Sequence, residues 1–203
     1  MTNDLNKRPR WTQRALQGVA YWMGHRRCLY RDYPLSEGAL VAEVCNLIYA
    51  NLPDHLELHC EVQYAKFVKS RELPRILQGK IRADLVIAEK PVRAGSDPVP
   101  EFIIEVKRAS TSKGLIDADL QRLAAARRLC PDARAFLFVI SEANRPKRFV
   151  VKEGQSIPGK HQIPKSDGYY RVRRTWKAAP AFKKREHAQY ACLIEVYEDA
   201  KSR

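Results

Sequence analysis

The chain has 203 residues, enough for one sizeable hydrophobic core and too few for two full domains. At 45% hydrophobic and 30% charged, with no run approaching the ~20 apolar residues of a membrane span, the composition is that of a globular chain and argues against a membrane protein. The net charge of +14 is uneven: residues 1–33 carry +5, 34–107 carry −2, 108–150 carry +5 and 151–203 carry +6. A slightly acidic stretch thus lies between basic flanks, and nucleic acid is the expected polyanionic partner.

Met1 to Arg10 lacks the apolar segment of a secretory signal. Cys28, Cys45, Cys60, Cys130 and Cys192 are scattered, without a Cys-x-x-Cys pair, and most stand in apolar surroundings. They read as buried thiols of a reducing compartment, and a cytoplasmic location is expected.

Residues 1–33 form a basic, aromatic extension, and "WTQRALQGVAYWMGHRRCLYR" (11–31) is expected to pack on the domain as a helix or helix–loop. A clear helix follows, with Ser36 as N-cap and Leu40, Val41, Val44, Leu47 and Ile48 at helical spacing; Pro53 closes it. "HLELHCEVQYAKFV" (55–68) alternates like a strand, and "IRADLVIAE" (81–89) is a second strand. A turn rich in proline and glycine joins it to a third, "EFIIEVK". The next helix, "GLIDADLQRLAAARRLC", carries a stripe of Ile116, Leu120, Leu123 and Ala124. "ARAFLFVIS" (133–141) reads as a fully buried strand, and "RFVVKE" (148–153) as a short one. Residues 153–187 read as irregular and basic, and "HAQYACLIEVYED" (187–199) as a closing strand. The expected class is α/β: one domain, a mixed central sheet flanked by helices, with a core at 34–152 and the 153–203 segment added to it.

Apolar strands that end in charge need a reason, because buried charge is costly without a partner. Glu105 and Lys107 share one strand face, and Asp84 repeats the pattern on the strand before. Neighbouring strands can gather these side chains on one face. Two close carboxylates repel unless a cation lies between them, and Mg²⁺ is commonly held by one or two carboxylates with water and substrate phosphate. A nearby lysine can orient or help deprotonate a water and stabilise phosphate charge. On the first clear helix the apolar residues centre on the direction of Glu37, an accessory acid; Glu43 flanks the stripe and is held in reserve.

A first-helix Glu, an Asp on a strand and Glu-x-Lys on the next resemble the PD-(D/E)XK, or restriction-endonuclease-like, nuclease superfamily. "RADLVI…FIIEVK" is similar to the N-terminal nuclease domain of type I restriction motor subunits and to small stand-alone nucleases. The resemblance spans about residues 34–141 in the order αβββαβ. It implies that Asp84, Glu105 and the Val106 backbone carbonyl bind Mg²⁺ or Mn²⁺, and that Lys107 is the catalytic lysine. Ala83 stands where the proline of the family motif would be. Gln121 on the following helix is an accessory candidate by the same resemblance, with Asp119 and Arg122 equally open as pocket residues.

"YYRVRRTWKAAPAFKKREH" (169–187) interleaves aromatics with Arg171, Arg173, Arg174, Lys177, Lys183, Lys184 and Arg185, a composition suited to phosphates and bases. Joint charge reversal of Arg173, Arg174, Lys183 and Lys184 is expected to weaken nucleic-acid binding. The functional expectation is a metal-dependent nuclease in restriction or defence, repair or mobile-element biology, with DNA favoured over RNA. A non-catalytic nucleic-acid-binding protein and an interaction subunit on the same fold remain the alternatives. The chain carries no ATPase motif, so a homodimer and a subunit of a larger complex are both open.

Overall fold

The computed structural model describes residues 9–29, 35–68, 72–90, 99–178 and 188–198. In chain order come α1 (Arg10–Leu29), α2 (Glu37–Tyr49), β1 (Leu56–Gln63), the single turn α3 (Tyr64–Phe67), a 3-10 turn (Arg75–Leu77), β2 (Arg82–Glu89) and β3 (Pro100–Arg108). They are followed by α4 (Lys113–Leu129), β4 (Arg134–Ser141), β5 (His161–Gln162), β6 (Tyr169–Ala178) and β7 (Gln189–Tyr197). The strands make one mixed sheet of seven, ordered β1-β2-β3-β4-β7-β6-β5. β3 and β4 run parallel; the other neighbours are antiparallel.

A parallel pair needs a long crossover, and α4 supplies it. Its expected stripe of Ile116, Leu120, Leu123 and Ala124 is buried. β4 is buried at all eight positions, as its unbroken apolar run demands. Its alternation divides the interior: Ala135, Leu137 and Val139 join the core under α4, whereas Phe136, Phe138 and Ile140 join the core under α1 and α2. Each such large side chain contributes about 1.5–3 kcal/mol by leaving water. α2 starts where Ser36 accepts a hydrogen bond from the Ala39 N–H, 3.2 Å, and it buries Leu40, Val44 and Ile48. α1 buries Trp11, Leu16, Val19 and Met23, with Trp11 edge-on to Phe102 at 5.1 Å.

Four expectations are corrected. Residues 169–178, read as irregular, form β6, which pairs along its length with β7. A register shift between Val172 and Arg174 breaks the alternation that would have revealed it. The strand expected at 148–153 reduces to an isolated bridge, Val150↔Ser156. The strand expected over 55–68 stops at Gln63, and the chain turns through α3 so that Tyr64 and Phe67 both enter the core. Of the cysteines, Cys192 is buried, but Cys45 and Cys130 are only half-buried and Cys60 is exposed. Cys45 and Cys60 instead bring their Sγ atoms to 3.3 Å between α2 and β1.

No helix among the described residues is long and apolar enough to cross a membrane. Residues 1–8, the turn expected at 91–98, the Cys28 side chain, and Lys183, Lys184 and Arg185 lie outside the described residues.

Candidate active site

The pairing of β2 with β3 runs from Ala88↔Pro100 to Leu85↔Ile104 and ends there. One step further in the same register places Asp84 across from Glu105. At that step the ladder is replaced by a side chain: the Val106 N–H donates to Asp84 Oδ2 at 2.7 Å. The two strands therefore part just where their acids meet. The N–H and C=O of an extended residue point toward the same neighbouring strand, so the Val106 carbonyl faces the gap that Asp84 occupies.

Glu105 is 2% exposed. The Tyr64 hydroxyl donates to its Oε1 at 2.7 Å, and Arg122 Nε stands 3.9 Å away. Burial, and after it the Asp84 charge, pushes the Glu105 carboxyl up to about 8 against the pull of Tyr64, Arg122 and Lys107. Burial and the same carboxylate hold the Tyr64 hydroxyl well above the usual phenol range.

Lys107 leaves the same strand face two residues later. Its Nζ lies 2.6 Å from Glu37 Oε1 and 3.7 Å from Asp119 Oδ2. Glu37 is there because Ser36 caps α2 at that point, which places the first-turn acid at the sheet's end. Asp119 is fully buried within the apolar stripe of α4 and is also paired with Arg122. Glu37, Asp84, Glu105 and Asp119 thus gather around Lys107 and Arg122, four acids to two cations.

A cleft of about 460 Å³ opens on the Glu37 and Asp84 side of this cluster, lined also by Gly38, Val41, Cys45 and Glu61, among others. Glu61 sits between the pairs Cys60↔Leu85 and Val62↔Ala83, beside Asp84, with φ at 54°. The left-handed region is disfavoured for a residue with a Cβ, so the backbone of β1 is strained next to the gap.

The expected site residues divide clearly. Asp84, Glu105, Lys107 and Glu37 converge, and Asp119 and Arg122 join them. Gln121 does not: its Nε2 donates to the Pro164 carbonyl at 2.7 Å and ties α4 to the segment after β5. Its place two residues from Asp119 turns it about 200° around the helix, away from the cluster. Glu43 lies half-buried on α2, its carboxyl pushed up by burial, with no contact to the cluster among the described residues.

The basic residues of β6 do not form one row, because of the register shift. Arg173 Nε pairs with Glu195 at 2.9 Å, and that acid also holds Arg134 at 2.8 Å. Arg174 lies over the Trp176 ring at 5.0 Å, Lys177 reaches toward Tyr190 at 5.9 Å, and Arg171 is exposed. Arg173 is therefore part of an internal ion network, not a free phosphate contact. Tyr64 and Glu61 escaped the sequence reading. Nothing in "CEVQYAKF" marks the chain reversal that brings Tyr64 under β3, although a buried tyrosine hydroxyl always asks for a partner.

Among the described residues, no group of three or more His, Cys, Asp or Glu side chains is placed to hold a metal ion. Magnesium does not require one, since it keeps several waters and shares its shell with substrate phosphate. Asp84, Glu105 and the Val106 carbonyl, with an excess of acid around them, offer oxygen ligands of the kind such an ion takes. Comparison of the chain with protein-family models, curated proteins and solved structures finds no match.

Proposed function

We propose that the protein is a divalent-metal-dependent nuclease of the PD-(D/E)XK type that hydrolyses phosphodiester bonds, with DNA as the favoured substrate. The observation that carries this reading is the meeting of Asp84 and Glu105 at the parted end of β2 and β3, with Lys107 on the same face. The order α2, β1, β2, β3, α4, β4 around that point supports the same reading.

Asp84, Glu105 and the Val106 carbonyl are the groups that would hold Mg²⁺ or Mn²⁺. A bound ion supplies charge stabilisation at the phosphate and lowers the pKa of water in its shell. Burial and the Asp84 charge push the Glu105 carboxyl up to about 8, so it would have to give up a proton to hold the ion at neutral pH. Glu37 and Asp119 hold the Lys107 ammonium from two sides at the mouth of the gap. From there Lys107 orients the attacking water and offsets charge building on the phosphate oxygens. Arg122 pairs with Asp119 and stands near Glu105, so Asp119 is held in place beside Lys107.

The test incubates purified protein with supercoiled, linear and single-stranded DNA and with RNA, in Mg²⁺, Mn²⁺ or EDTA. Cleavage that needs a divalent ion and falls at least about 100-fold in Lys107→Ala supports the reading. Cleavage that survives the substitution, or inertness of wild type on every substrate, defeats it.

A further inference from the structure

A second, larger cleft opens where the parallel strands β3 and β4 end. Its volume is about 720 Å³, within the range of small-molecule sites. α4 begins on one side of it, the turn after β4 forms another wall, and the start of β5 closes it.

The lining has a definite chemistry. Lys113, Lys147, Arg148 and Lys160 stand on it, and no acidic residue does. Arg148 is anchored to Asp117 at 2.6 Å, while its Nη1 is buried without a hydrogen-bond partner. Apart from Thr111 and Gln162, the other groups are apolar or aromatic, with Ile116 and Phe149 both buried. Tyr170 forms the centre of an aromatic stack, with His161 parallel to it at 5.2 Å and Phe149 edge-on at 5.8 Å.

α4 adds to the positive field. It has no acid in its first turn, carries Lys113 there, and its Ser112 makes no side-chain cap. A cation at the positive end of a helix is unfavourable unless an anion is nearby. An anion attached to a flat apolar body is the ligand such a lining suits, and a nucleotide is that combination.

The location gives the nucleotide its context. Ala109, on the cleft wall, is two residues past Lys107, and Ile116 is one helical turn from Asp119. A smaller cleft of about 380 Å³ continues from it, sharing Ala109, Pro146 and Lys147 and adding Arg145 and the ion pair of Arg108 with Glu142. A base inside a duplex cannot reach such a floor without leaving its stack.

We infer that this cleft holds an unpaired nucleotide of the substrate strand next to the cleavage site, so that the protein acts on single-stranded segments or ends. The base extends the His161 end of the aromatic stack, and the flanking phosphates meet Lys113, Lys147 and Lys160. This inference rests on the nuclease reading above.

The experiment measures binding in EDTA, where no cleavage occurs, by fluorescence anisotropy with labelled dT12 and a blunt 12-base-pair duplex. The variant Lys113→Glu/Lys147→Glu/Lys160→Glu is expected to lose at least about tenfold in dT12 affinity near 100 mM salt. Its salt slope should fall by about 2, the share of three phosphate contacts on a single strand. His161→Ala, which keeps those charges, is expected to lose about fivefold or more on dT12 and nothing on the duplex.

Unchanged dT12 affinity in both variants, or equal losses on strand and duplex, would overturn the inference. So would dTMP binding as tightly as dT12, which would mark a free-nucleotide site. The two readings fail separately: an active wild type with indifferent variants removes the cleft alone. An inert wild type with strand-selective losses removes the nuclease alone.

Discussion

Replacing Glu105 by Gln isolates the electrostatic strain at the centre of the site. The carboxyl is 2% exposed and lifted from 4.5 to about 8, first by burial and then by Asp84. The folded protein therefore binds this proton more tightly than the unfolded chain does. Stability follows the difference in bound protons, so the Glu105 contribution is whole below about pH 4.5 and is lost as pH rises toward 8. The full rise corresponds to about 5 kcal/mol at most. Glutamine keeps an oxygen that can accept from Tyr64 and carries no charge to bury. Urea unfolding in EDTA at pH 5, 6, 7 and 8 reads the difference directly. Wild type should lose stability relative to Glu105→Gln by several kcal/mol across that range, mostly above pH 5. Two curves that stay parallel from pH 5 to 8 would refute the account of Glu105 as a buried acid beside Asp84.

Arg122→Ala leaves Asp119 and Glu105 buried with less compensation, and should destabilise by about 3–5 kcal/mol in thermal or urea unfolding. Arg122→Lys, which keeps the charge, should recover part of that loss. Arg173→Ala should cost about 1–3 kcal/mol of stability, because it removes a partner of the buried Glu195, and should change oligonucleotide affinity less than twofold. Leu120→Ala, at a fully buried position of α4, should cost about 2–5 kcal/mol.

Where burial is complete the sequence is readable, and β4 is the clearest case. Eight buried positions leave no room for polar residues, so its apolar run announces both the strand and its central place. α2 and α4 show themselves through stripes that tertiary packing later uses. The acids at 84 and 105 stood out because they interrupt such patterns, and Asp119 could be found in the same way, as one charge among Ile116, Leu120 and Leu123.

β6 was lost for the opposite reason. It lies near the sheet's edge, buries few of its side chains, and its register shift puts Arg173 and Arg174 where alternation would demand one inward residue. Charge alone then suggested an open basic segment. Arg173 is held by Glu195, a partner 22 residues away in sequence that no local pattern identifies. Tyr64 is similar: its bond to Glu105 spans 41 residues and depends on a one-turn helix whose start has no side-chain cap.

The central claim is that the acids at the parted strands grip a divalent ion, and titration with Mn²⁺ at pH 7 by calorimetry in buffers of different ionisation enthalpy tests it most directly. Wild type should bind about one ion and release about one proton, most of it from Glu105, whereas Asp84→Asn and Glu105→Gln should each abolish saturable binding. Binding of the same strength in both variants, or none in wild type up to millimolar Mn²⁺, would contradict the account.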